Sequence, residues 1–104
     1  MRLFSTLILG AAAVCAFASA PASATGVIKC KAGPVSKWKS QDDLKAKLVK
    51  EGWTITKSKV DGGCYEVYGT TPEGDRVEAY FHPVTLEKLY VGRRGQVLFR
   101  KPGY

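Results

Sequence analysis

The chain has 104 residues, with 16 Lys and Arg against 9 Asp and Glu, one histidine and three cysteines, for a formal charge of +7. That length excludes a multidomain enzyme and leaves little room for a deep catalytic cleft. The charge is uneven: residues 92–104 hold Arg93, Arg94, Arg100 and Lys101 and no acid, so the basic character belongs largely to the C-terminal end.

Met1 and Arg2 precede an apolar run from Leu3 to Ala18, followed by the small residues "SAPASATG". This is the order of a secretory signal peptide over residues 1–24, with cleavage expected after Ala24 because Pro21 obstructs the earlier A-x-A site. The run is shorter than the roughly 20 residues of a membrane-spanning helix. The mature chain, residues 25–104, is therefore expected in the periplasm or outside the cell, and Cys15 leaves with the leader. A domain of that size buries only about 60–65% of its unfolded surface, so its core is marginal without a staple. Cys30 and Cys64 remain, in an oxidising compartment and with a single connectivity open to them. A Cys30–Cys64 disulfide is the expected staple.

Residues 25–39 carry Gly26, Gly33 and Pro34 and read as an extended lead-in. Ser40 is placed as an N-cap with Asp43 three residues on, and Gly52 suits a left-handed helix end, which predicts a helix from Gln41 to Glu51. Leu44, Leu48 and Val49 would share its apolar face, with Trp53 folding back onto Leu48.

The remainder alternates strands with turns: "WTITKSKV", "CYEVYGT", "RVEAYFH" and "EKLYVG", separated by "DGG", "TPEGD" and "PVTL". Pro72 and Gly74 fit a three-residue loop closed by Thr71 and Asp75, which sets Gly69 opposite Val77, Val67 opposite Ala79 and Tyr65 opposite Phe81. These pairs form one apolar face. A slip of one residue would mix the apolar and polar sets. The same loop length applied to Asp61-Gly62-Gly63 adds Trp53 and Ile55 to the inner face, along with Lys57 and Lys59, and the third turn adds Leu89 and Val91. The fold class expected is α+β, one amphipathic helix packed on a three- to four-stranded antiparallel sheet, with the domain proper at residues 40–91.

A tryptophan before a capped helix, "EGW" at its end, and "KVDGGCYEVYGTTPEGDRVEAYFHPVTLE" through the strands resemble the PepSY domain of small stand-alone periplasmic proteins. The resemblance covers Trp38 to Val91, and "GCYEVYG" with "HPVTLE" is its specific part. It implies a binding or regulatory module of the kind found in protease propeptides and in regulators of cell-wall lytic enzymes, without catalysis and with an undefined ligand. Leu86 stands where the family usually has glycine; a left-handed leucine costs about 1 kcal/mol or more, so a differently shaped turn is expected there. Residues 92–104 lie outside the pattern, either as a further strand or as a free basic tail.

The chemistry-bearing residues favour binding over turnover. Cys64 and His82 would face the same side of the sheet, but a nucleophile needs a thiolate, and pairing with Cys30 removes it. Cys30, Cys64 and His82 lack the close spacing that pre-organises a metal site. Glu66 and Glu78 sit among Arg76, Tyr68 and Tyr80, where cross-strand pairing accounts for them. No catalytic residue, metal or cofactor is expected. The candidate partner-binding face is the outer one, Glu66, Tyr68, Arg76, Glu78, Tyr80 and His82, recognising another periplasmic protein such as a peptidase. The competing reading is that the lead-in covers this face as a second small core. Arg93, Arg94, Arg100 and Lys101 are candidate contacts to anionic lipid or cell-wall polymer. Nucleic acid is not expected as a partner, since export separates the two, and the chain is expected to be a monomer.

Overall fold

The computed structural model describes residues 26–104; the leader and its cleavage site lie outside them. One helix, α1 (Gln41–Lys50), is followed by five strands, β1 (Thr54–Asp61), β2 (Cys64–Thr70), β3 (Arg76–Phe81), β4 (Lys88–Arg93) and β5 (Gln96–Arg100). The strands form an antiparallel meander in the order β1-β2-β3-β4-β5. The fold is α+β with one strand more than expected, because residues 92–104 do not hang free: a turn through Arg94 and Gly95, both at positive φ, folds Gln96–Arg100 back onto β4.

Both ends of α1 form as their residues dictate. The Asp43 N–H donates to Ser40 Oγ at 2.9 Å, and the Ser40 N–H to Asp43 Oδ2 at 3.4 Å, which closes the capping box. At the other end Gly52 takes φ 101°, the Trp53 N–H donates to the Leu48 carbonyl at 2.9 Å and the Gly52 N–H to that of Val49 at 3.0 Å, a Schellman ending. Only Leu44 and Leu48 are buried on α1; Val49 points to solvent, so the apolar stripe is narrower than the sequence suggests. They pack with Trp53, Tyr65, Val67, Val77, Ala79, Phe81, Leu86 and Val91 as the inner core.

The β2–β3 pairing has Gly69 opposite Val77, Val67 opposite Ala79 and Tyr65 opposite Phe81, as the Thr71–Asp75 turn requires. The Thr71 N–H donates to the Asp75 carbonyl and the Gly74 N–H to the Thr71 carbonyl, each at 2.9 Å. The first turn departs from expectation. It has two residues, Gly62 and Gly63, both at positive φ (62° and 80°), and Asp61 pairs directly with Cys64. This twist matches that of the flanking strands and suits a glycine pair. It shifts β1 by one, so Lys57 and Lys59 lie opposite Tyr68 and Glu66 on the outer face, contrary to the inner placement expected. A bulge between Ile55 and Lys57 then restores the register, bringing Ile55 opposite Gly69 and against the core.

A second bulge, where Tyr80 pairs with Tyr90 and Phe81 with Lys88, leaves Leu89 unpaired. Leu89 therefore packs on the outer side, not on the inner face with Val91. Leu86 also corrects its expectation: it does adopt the left-handed conformation, at φ 63°, and the turn closes around it with the Leu86 N–H on the His82 carbonyl at 2.7 Å. Its side chain is 5% exposed in the inner core, and that burial offsets the strain.

Candidate functional site

The outer face of the sheet divides into a covered and an uncovered half. The lead-in causes this division. Cys30 and Cys64 are bonded, with Cα atoms 5.2 Å apart, and the Cys30 N–H donates to the Gly62 carbonyl at 2.8 Å. The lead-in passes so close over the turn that a Cβ on Gly62 would lie 2.6 Å from the Ile28 carbonyl oxygen, and one on Gly63 2.5 Å from that of Cys30. The glycine pair thus answers to the turn and to the segment crossing it.

Ile28 fills a second, smaller core with Cys64, Tyr80, Leu89 and Tyr90, and Cys30 packs against it. Asp61 ties the arrangement down, since one carboxylate oxygen accepts from the Gly26 N–H and the Tyr80 hydroxyl, each at 2.7 Å. The Gly26 bond, aided by Tyr80 and Lys59, holds Asp61 below its ordinary value against the opposing effect of desolvation. Burial, then the bond to Asp61, pushes the Tyr80 hydroxyl well above its ordinary value. With both sulfurs in the disulfide, neither a thiolate–histidine pair nor a Cys-Cys-His ligand set can form. His82 is occupied at the β3–β4 turn, where its Nδ1 accepts from the Val84 N–H at 3.1 Å.

Two of the expected contact residues are consequently inside the protein. Tyr80 and Glu66 are both 0% exposed, so neither is available to a partner. Glu66 is the less comfortable. Among the described residues neither of its oxygens has a well-formed hydrogen bond, and the Lys59 ammonium stands 3.6 Å away. Burial pushes its carboxyl above the ordinary 4.5; the Tyr68 hydroxyl and Lys59 oppose this, while Asp61 and Glu78 add to it.

The uncovered half begins at Tyr68. Lys57 and Lys59 reach over its ring, with ammonium groups 5.4 and 5.9 Å from the centroid. Beyond it an open trough of about 600 Å³ runs between Thr56 and Tyr68 on one side and Arg76, Glu78, Arg93 and Arg94 on the other. Gly92 in its lining makes room for the Tyr90 side chain, whose hydroxyl would lie 2.6 Å from a Cβ at that position. Of the four C-terminal cations, Arg93 pairs with Asp75 at 2.7 Å, Lys101 pairs with Glu87 at 2.9 Å, and Arg100 donates to the Tyr104 carbonyl while covering the Tyr90 ring. Arg93 and Arg94 thereby join Arg76 at one end of the trough, a meeting of two groups that the sequence had kept apart. Lys57, Lys59 and Thr56 belong to this face as well. Reading Gly62-Gly63 as a two-residue hairpin turn would have found the two lysines.

Residues 7–90 match the family model described as peptidase propeptide and YPEB domain. The chain belongs to the PepSY family. No curated protein and no solved structure matches it. PepSY domains are regulatory, propeptide-like modules, and here the family's helix-on-sheet unit carries β5 as an addition beyond the matched residues.

Proposed function

We propose that this PepSY protein is a non-catalytic binding module, exported to the periplasm, that modulates a peptidase or another envelope enzyme through the uncovered half of its outer sheet face. The observation that carries the reading is where the lead-in stops. It is stapled over Tyr80, beside the buried Glu66, and leaves Tyr68, Arg76, Glu78 and Arg94 around an open trough. A tyrosine flanked by cations and a carboxylate supplies rigid contact area together with charges that set orientation, the composition of an interface hot spot. Propeptide-like relatives supply the class of partner.

A module held to anionic lipid or polymer by a basic tail draws less support, because three of the four tail cations are engaged within the domain. The test is affinity capture by the oxidised mature protein from periplasmic extract, with Tyr68→Ala and Arg76→Glu as the altered baits. A partner recovered by the native bait and lost by at least about tenfold with both variants supports the face. Equal recovery with either variant removes it.

A further inference from the structure

We infer that the outer edge of β5 is a second recognition site, one that adds an extended acidic–apolar segment of a partner protein as a sixth strand. This names a mode and a chemistry that the trough does not, and it builds on the reading of the chain as a binding module.

The sheet has two edges, and they are treated differently. At β1, the Gly62 carbonyl is taken by the Cys30 N–H, Ser58 bonds Gln41 of α1 at 2.6 Å, and Lys57 and Lys59 stand along the strand. Coverage and lysines are the ordinary means of blunting an edge. At β5 the main chain pairs with β4 on one side and, among the described residues, with no other segment on its far side. The strand contains no proline, and its centre is apolar and open: Val97 is 51% exposed, Leu98 40% and Phe99 37%. The strand carries a bulge at Leu98, and the Lys88 ammonium stands 4.6 Å from the centre of the Phe99 ring. Unpaired backbone groups beside exposed apolar side chains are what strand addition requires.

Side chains on the two faces of this edge specify the occupant. Toward the helix side, Leu98 and Phe99 line a groove of about 510 Å³ with Trp53, Pro72 and Val91, and its charged rim is mixed, Lys88 standing with Glu51, Glu73 and Asp75, of which Glu51 is paired with Lys47 and Asp75 with Arg93. Apolar side chains of an added strand fit there. Toward the outer side stand Arg94, at the trough, and Arg100, over Tyr90. Because side chains of a strand alternate between faces, an incoming segment of alternating acidic and apolar residues satisfies both. A second copy of the chain does not. Residues 92–104 hold four cations and no acid, so β5 of a second copy brings no carboxylate to Arg94 or Arg100.

The probe is a blocked Glu-Val-Glu-Val-Glu-Val peptide, titrated to millimolar concentration into oxidised, isotope-labelled mature protein, with a Lys-Val peptide of the same length as control. The expected result is a shift of the Gln96–Arg100 amides with hydrogen exchange there slowed by at least about tenfold, and no such change with the control. Leu98→Lys, which places a charge at the edge, should weaken the response by about tenfold or more while the remaining spectrum stays native. Leu98→Pro, which also removes an N–H, should abolish it. No protection of β5 at millimolar peptide overturns the proposal, as does equal binding of the Lys-Val peptide or a concentration-dependent dimer that Leu98→Lys dissolves. Shifts confined to Thr56, Tyr68 and Arg76 would overturn the edge and leave the trough standing. Loss of partner capture on Tyr68→Ala with β5 addition intact identifies two separate surfaces.

Discussion

Replacing Leu86 by glycine, the residue usual at this point in the family, should destabilise this protein. Two effects oppose each other at the position. Relief of the left-handed backbone at φ 63° favours glycine by about 1–2 kcal/mol. Against it stands the loss of a leucine side chain that is 5% exposed and packed in the inner core, for which large-to-small changes cost about 2–5 kcal/mol, and glycine adds roughly 0.5–1 kcal/mol of unfolded-state freedom. The net expectation is a loss of about 0.5–5 kcal/mol. Leu86→Ala isolates the strain, since it removes the same contacts but keeps a Cβ. It should be less stable than Leu86→Gly by about 1 kcal/mol, the reverse of the usual order of these residues. Urea denaturation of the oxidised mature protein, with m-values compared to confirm a common unfolded state, measures all three. A glycine variant as stable as the native protein would show that the buried side chain does not offset the strain. An alanine variant more stable than the glycine one would show that the left-handed turn itself is wrong.

Exported protein should be two hydrogens lighter than its reduced form, and reduction should cost roughly 3 to 4 kcal/mol for a staple across 34 residues, with exchange at Tyr80 rising first; unchanged stability would mean that the lead-in is held without the bond. Glu66 and Asp61 should give pH dependences of opposite sign. Glu66, raised when folded, costs stability above its folded pKa and ceases to cost as pH falls toward 4.5, so Glu66→Gln should remove a decline in stability on the alkaline side of that value, and an unaltered profile would contradict its burial. Asp61, lowered when folded, contributes above its ordinary 3.8 and is lost as pH falls through its folded value, so Asp61→Asn should lose that contribution at neutral pH and free the Gly26 amide to exchange. Gly63→Ala should cost about 2 kcal/mol or more and expose the lead-in to proteolysis, because φ of 80° and the Cys30 carbonyl both oppose a Cβ; a resistant variant would refute the close crossing.

The parts of the fold that were legible are those where short-range chemistry and side-chain sorting agree. The Ser40–Asp43 box, the Gly52 ending and the Thr71–Asp75 turn each involve a few adjacent residues, and the last carried the whole β2–β3 register with it. What misled were two of the three bulges, which depend on neighbours distant in sequence: the one beside Thr56 hid a two-residue turn behind a three-residue count, and the one at Leu89 moved a leucine between cores. Leu86 misled differently, because a local penalty was visible and the burial that offsets it was not. At the candidate site the sequence placed Tyr68, Arg76 and Glu78 on one face, and could not choose between a covered and an open surface. The structure makes it both, with the boundary falling between Tyr80 and Tyr68.

The bulge between Ile55 and Lys57 has a bearing on which length changes the chain can absorb. Strand β1 is out of step with itself, its first part answering to the helix and its second to the outer face, and the extra residue reconciles the two. Deleting Thr56 would remove the bulge and leave Lys57 opposite Tyr68 and Ile55 opposite Gly69, so the pairing and the core contacts should survive a strand one residue shorter. Replacing the bulge and the two-residue turn together by a three-residue loop over 61–63 would also keep Ile55 opposite Gly69, but would set Lys57 and Lys59 opposite Val67 and Tyr65, on the inner face. A homologue lacking both features is thus expected to carry different residues where those two lysines stand, so that the spacing of this strand and the charge on its far face change together.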